Sequence, residues 1–211
     1  MKRDIEHTLI NDLKTLDIDI LGLIEVDTGS LRTRRRHMGA YMKERLGLRD
    51  MHACIKYANK GMSSWGHKIP IMRKQGNVML TRHPLDTTNT HYLSSGMKRA
   101  VIETTLTYEN KRITLFLIHL PLFAKTRKKH LEELSDIIRE EQGPCLVLGD
   151  FNTFKGREEL NGFLEKTGLS FHHNEPLLTH PTHHPKRELD FILCSQEISI
   201  QKCQTLDWKY S

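Results

Sequence analysis

The stretch Cys145-Leu-Val-Leu-Gly-Asp-Phe-Asn152 constrains the chain more than any other. Cys145 to Leu148 is an unbroken apolar run, the pattern of a strand covered on both faces. Gly149 is expected to end that strand and let the backbone turn sharply. Asp150 and Asn152 then stand at its carboxyl end, the side on which α/β sheets usually bind ligands. Two residues apart in extended chain, they face the same way, and Phe151 points oppositely into the core. A carboxylate can orient a nucleophilic water or hold a metal. A neutral amide can donate to a phosphate oxygen without adding negative charge. From these residues alone, an Asp-Phe-Asn turn that merely closes a strand is the simpler reading.

The 211 residues give room for one domain with a full core, or two small ones. Hydrophobic residues make up 37% and charged residues 27%, the balance of a soluble globular protein. No apolar run reaches membrane-spanning length and the N-terminus carries no signal-peptide apolar region, so a cytoplasmic protein is expected. A formal charge of +6 weakly favours anionic partners such as nucleic acid or phospholipid head groups. Cys54, Cys145, Cys194 and Cys203 have no C-x-x-C spacing, so free thiols in a reducing compartment are expected, with Cys145 and Cys194 buried. Without repeats or a Pro/Gly/Ser linker, the chain reads as a single domain over 1–211 and as a monomer.

Along the chain, Ile5, Leu9, Leu13 and Leu16 predict an amphipathic helix over 4–16. Ile18 to Val26 reads as a buried strand with Glu25 near its end, where a carboxylate serves as metal ligand, helix cap or step to the surface. The loop 27–37 carries Arg32, Arg34, Arg35 and Arg36, a solvated charge run or a phosphate-contacting loop. A helix over 38–46 stopped by Gly47, a strand over 51–57, a long loop over 58–75 with Trp65 packed under it, and a strand over 76–84 follow. Residues 85–98 read as a polar connection. Arg99–Tyr108 and Arg112–His119 then form a hairpin about Glu109-Asn110-Lys111, and His119 closes its second strand in a structural or catalytic role.

Thr126 is expected to cap a helix over 127–141 that Gly143-Pro144 stops, and a shorter helix covers 157–166. His172, His173, His180, His183 and His184 lie in a segment rich in Pro and Thr with no cysteine at finger spacing, which favours a loop over a zinc site. Leu189 to Cys194 reads as another buried strand; Asp190 near its start needs a partner, or its burial is costly. Ile198–Leu206 is the last strand candidate.

Five pieces now stand in a familiar order: Leu-Ile-Glu25, Gly-Asn77-Val-Met-Leu-Thr-Arg-His-Pro, Phe-Leu-Ile-His119-Leu, Gly-Asp150-Phe-Asn152 and Glu-Leu-Asp190-Phe-Ile-Leu. Together they resemble the endonuclease/exonuclease/phosphatase superfamily, the DNase I-like fold, from residue 5 to residue 211. The resemblance implies an α/β (α+β) fold, a four-layer α/β/β/α sandwich, and Mg²⁺- or Mn²⁺-dependent hydrolysis of phosphate esters. It implies Glu25 as the metal ligand and His119 as the contact to the scissile phosphate. It implies Asp150 as the acid that activates water, with Asn152 holding the phosphate beside it, and Asp190 as the acid that orients a catalytic histidine. Against the family's pattern, an asparagine-bearing first strand and a terminal Asp-His are not seen, so the resemblance implies a domain truncated at both ends.

The expected function is a metal-dependent phosphodiesterase of nuclease type, with Arg34, Arg35 and Arg36 contacting a polyanionic substrate. A phosphatase or phospholipase-like member acting on inositol phosphates or phospholipids is the second reading. A binding module or pseudoenzyme impaired in catalysis is the third.

Overall fold

The computed structural model describes residues 2–30, 35–55, 75–94, 96, 98–171, 173 and 175–208. Its elements in chain order are helix α1 (Lys2–Lys14), strand β1 (Ile20–Asp27), helix α2 (Met38–Leu46) and strands β2 (Asp50–Ile55), β3 (Gln75–Thr81), β4 (Leu85–Tyr92), β5 (Ala100–Tyr108) and β6 (Lys111–His119). Helix α3 (Ala124–Arg139), strand β7 (Cys145–Asp150), a 3₁₀ turn (Arg157–Leu160), helix α4 (Asn161–Thr167) and strands β8 (Ser170–Phe171) and β9 (Asp190–Cys194) complete the fold. They form a three-stranded sheet, β1-β3-β2, and a six-stranded sheet, β4-β5-β6-β7-β9-β8. Only the β6–β7 pair in the larger sheet is parallel, and α3 makes the crossover that such a pair needs.

Strand alternation distributes the apolar residues into three clusters and hence four layers. Val78 and Leu80 of β3 pack with Leu13 of α1 and Met42 of α2 on the outside of the small sheet. Met79, between them in sequence, faces the opposite way and joins Ile102, Leu115 and Leu117 between the sheets. Phe116 and Ile118 of β6 then point outward, to Leu134 of α3 and Phe163 of α4. The α/β/β/α order follows from this period of two on strands buried on both faces.

Local chemistry sets several element boundaries. Gly47 and Gly168 stop α2 and α4 in the left-handed conformation, at φ 68° and 69°. Glu109 and Asn110, at φ 48° and 61°, form the two-residue turn whose twist suits the β5–β6 hairpin. Phe151 is fully buried, edge-on to Phe191 at 5.3 Å. Cys54, Cys145 and Cys194 are buried free thiols; burial pushes the Cys145 thiol up to about 11.

Other expectations fail for identifiable reasons. Residues 85–98 are not a plain connection: Leu85–Tyr92 is an edge strand, exposed enough to be built from Thr, Asn and His. Thr126 does not cap α3, which starts earlier, at Ala124, with Phe123 in the cap position and no side-chain cap bond. Residues 198–206 form no strand. Residues 58–74 of the expected loop, Trp65 among them, lie outside the described residues, as does His172.

Gly149 does not end its strand either; β7 runs through it to Asp150. At φ 145° its backbone approaches β6 so closely that a Cβ would sit 2.0 Å from the Ile118 carbonyl oxygen. Gly149→Ala is therefore expected to lower unfolding stability by about 3 kcal/mol or more, read as a fall in the denaturant midpoint.

Candidate active site

The six-stranded sheet lines up three of the expected site residues. His119 pairs with Asp150 across β6 and β7, and Asp150 pairs with Asp190 across β7 and β9. Leu115 and Leu117 before His119, and Leu146 and Leu148 before Asp150, face the space between the sheets, so by alternation His119 and Asp150 face it too. His119 is 4% exposed, with Nε2 3.3 Å from Asp150 Oδ2.

Glu25 reaches the same place from the opposite sheet by a bulge. Ile20 and Ile24 of β1 face between the sheets, and Leu21 and Leu23 face the helices. Strict alternation would send Glu25 to the helices as well. The β1–β3 register shifts between Leu23 and Val26, and Glu25 takes φ 56°. Its carboxylate consequently lies 3.7 Å from His119 Nδ1. Buried Asn77 stabilises the bulge, accepting the Glu25 N–H through Oδ1 at 3.3 Å.

Sequence reading missed Lys98. It sits in the left-handed conformation, φ 60°, with Nζ 2.5 Å from His119 Nε2 and 3.8 Å from Glu25 Oε1. Its ammonium can only donate, so it donates to Nε2. That assigns the proton of a neutral His119 ring to Nδ1, on the Glu25 side. No sequence signal marks Lys98; its tertiary position alone does.

Asn152 is buried and spends its amide on the fold. Its Nδ2 donates to the Leu120 carbonyl at 2.9 Å, its N–H donates to Asp150 Oδ1 at 2.9 Å, and the Leu120 N–H donates to the Asp150 carbonyl at 2.8 Å. The loops after β6 and β7 are thereby locked together. Arg36 lies elsewhere, paired with Glu6 of α1 at 2.9 Å and stacked over Tyr41 of α2 at 4.6 Å. Arg35 is exposed, and Arg34 lies outside the described residues. The histidine-rich loop borders the site through His180, which packs edge-on to Phe154 at 5.9 Å, while buried Glu188 holds Arg157 through both carboxylate oxygens.

The donor chemistry suits one kind of metal. Among the described residues no group of three or more His, Cys, Asp or Glu is arranged to hold an ion. An accessible carboxylate such as Glu25 fits a hard divalent cation that keeps most of its waters and takes further oxygens from a phosphate.

The chain belongs to the Endonuclease/Exonuclease/phosphatase family, whose model matches residues 6–209. Among solved structures it is similar to an endonuclease/exonuclease/phosphatase family protein from Leptotrichia buccalis, at TM-score 0.72 and 16% identity over 93% of this chain and 83% of that one. It is also similar to a mannosyl-6-phosphatase from Bacteroides thetaiotaomicron, at TM-score 0.70 and 14% identity over 97% and 81%. The human Nocturnin catalytic domain with bound sulfate matches at TM-score 0.64 and 19% identity over 92% and 75%. No curated protein matches the sequence. No helix among the described residues is long and apolar enough to cross a membrane.

The Asp190 carboxyl is held above the usual carboxylate range. Desolvation in the crowded site is the main cause and the charge of Asp150 adds to it, against a Thr179 hydrogen bond and the two histidines His119 and His180. A carboxyl that binds its proton more tightly when folded stabilises the fold below the unfolded value, about 3.9. That contribution is lost as pH rises through the raised native value. Asp190→Asn is therefore expected to melt above the wild type at pH 7, and the gap to close below about pH 4.

Proposed function

We propose that the protein is a divalent-metal-dependent phosphodiester hydrolase of nuclease type. The observation that carries this reading is the facing of Glu25 against the row His119, Asp150 and Asp190, with Lys98 between them. Three carboxylates, an imidazole and an ammonium at one mouth match a reaction that must deprotonate water beside a phosphate and neutralise charge growing on its oxygens.

Asp150 accepts the proton of a water and aims its oxygen at phosphorus. The new P–O bond forms as the bond to the leaving oxygen breaks. Lys98 donates to a non-bridging phosphate oxygen, releasing the contact it makes with His119 Nε2. His119 gives the phosphate its second contact through Nε2, which carries the donating proton once Lys98 has released it. Asn152 acts through Asp150 and Leu120, fixing the carboxylate in place. Asp190 flanks Asp150 across β7 and β9, and the departing oxygen takes its proton from solvent water. Glu25 would hold Mg²⁺ or Mn²⁺, which when bound supplies positive charge to the phosphate.

The net charge of +6 supports an extended polyanion as substrate, and nucleic acid is the polyanion whose backbone consists of phosphodiesters. Because this family also contains phosphatases, monoester hydrolysis is the outcome that would displace the reading.

The test is hydrolysis of bis(4-nitrophenyl) phosphate, 4-nitrophenyl phosphate and a single-stranded oligonucleotide, with Mg²⁺ or Mn²⁺ and with EDTA. Diester cleavage that EDTA abolishes is expected. Asp150→Asn and His119→Ala should each lower kcat by about 10²–10⁴. Lys98→Ala should raise KM about tenfold, the loss of one charged hydrogen bond. Cleavage of the monoester with the diesters untouched would assign a phosphatase instead.

A further inference from the structure

Leaving the site after His119, the chain comes at once to the surface. Leu122 is 56% exposed and Phe123 75%, the highest value for a large apolar side chain among the described residues. On a slack loop such a pair could fold back onto the protein. Here both ends are held. Arg127, 2% exposed, donates through Nη1 to the carbonyls of Pro121 at 3.0 Å and Leu122 at 2.8 Å. Its Nε and Nη2 are anchored on Glu159, the former at 3.1 Å. At the other end, Leu120 is tied to Asp150 and Asn152 through its own N–H and carbonyl. Phe123 stands four positions after His119, so their Cα atoms lie within about 14 Å of each other.

Beside this loop, starting at Ala124, a groove of about 510 Å³ runs between α3 and α4. Leu131 and Phe163 line it, with Lys128, Lys155 and Lys166 around them. Of its two acids, Glu159 is matched by Arg127, which leaves Glu132 against three lysines. An exposed aromatic ring next to a basic groove is the combination that binds single strands, because bases stack on the ring while cations follow the phosphates.

We propose that this surface holds a single-stranded stretch of nucleic acid leading to the active site, with Phe123 stacking on a base and Lys128, Lys155 and Lys166 contacting the backbone. The proposal rests on the nucleic-acid reading above and adds the form of the substrate. A duplex keeps its base faces stacked on one another, so a lone ring presented to solvent suits an unpaired base. An anionic membrane would answer the same lysines. Leu122 and Phe123 together, however, offer less apolar surface than the acyl chain that by itself gives only marginal membrane binding.

The experiment measures binding of a fluorescent ten-nucleotide single strand to the full chain in EDTA, by anisotropy across a salt series, beside bis(4-nitrophenyl) phosphate hydrolysis with metal. Phe123→Ala should weaken oligonucleotide binding about tenfold, Phe123→Trp should keep it, and both should hydrolyse the small diester like the wild type. Reversing Lys128, Lys155 and Lys166 to Glu should flatten the log–log salt slope by about 2. Unchanged binding by Phe123→Ala would overturn the proposal, and so would an equal loss of small-diester hydrolysis, which would mark a structural role. A wild-type chain that hydrolyses the small diester but binds no oligonucleotide would also overturn it. Phe123-dependent sedimentation with phosphatidylserine vesicles would in that case assign the loop to a membrane. A chain that binds the oligonucleotide through Phe123 yet hydrolyses no diester would uphold the surface while the catalytic reading fails.

Discussion

The parallel contact between β6 and β7 is the constraint on which the site depends. Gly149 lets the two backbones approach beyond what any side chain would permit. That approach lies one residue before His119 and Asp150, the last matched pair of the ladder. The antiparallel partner β9 extends the row by one position, to Asp190. The ladder hydrogen bonds of the sheet thus set the spacing of three polar groups to within a strand separation, and no loop has to be held in place to do it. Rigid elements position chemistry more accurately than loops do.

Placing such groups together has an electrostatic cost that the arrangement distributes. Like charges raise one another's proton affinity, and Asp190 carries that effect beside Asp150. His119 and His180 offset it, and Glu25 faces His119 and Lys98 from the other sheet. Three of the seven described non-glycine residues at positive φ lie here: Glu25 at φ 56°, Lys98 at 60°, Asn152 at 52°. Each is a non-glycine residue in a disfavoured region, and each is held by bonds from its surroundings. Strain stored at a site in this way is typical of groups fixed in advance of their ligand.

Sequence pattern revealed much of this and missed parts for definite reasons. Apolar runs bounded by Gly and Pro located β1, β3, β6, β7 and β9, because strands buried on both faces must be continuously apolar. Edge strand β4 escaped, since a strand with water on one side needs no such run. His119, Asp150 and Asp190 were legible because each borders an apolar run, the first two at its end and Asp190 at its start. Glu25 was legible only through the resemblance, because the bulge that turns it inward reverses the alternation from which its direction would be read. Lys98 was illegible altogether: nothing in Met97-Lys-Arg99 distinguishes a lysine aimed at an imidazole 21 residues away. The arginine run shows a different difficulty. Arg36 answers Glu6, 30 residues back in the chain, and stacks on nearby Tyr41, and charge density alone could not foresee that.

The Arg127–Glu159 pair shows how the stability of this fold and the exposure of the loop after β6 are joined. A buried guanidinium is tolerated only when its donors are satisfied, and two of the acceptors that satisfy this one are main-chain carbonyls of Pro121 and Leu122. The loop therefore cannot relax to cover Leu122 and Phe123 without leaving Arg127 short of partners inside the protein. Exposure of those two side chains is in this sense enforced from the core. Helix α3 fills its first turn with the same logic: no side chain caps it, Phe123 stands in the cap position, and Ala124 begins the basic groove. The uncapped start of α3, the exposed ring of Phe123 and the lysines of the groove thus adjoin one another on the helical side of the large sheet, while His119 and Asp150 face its other side.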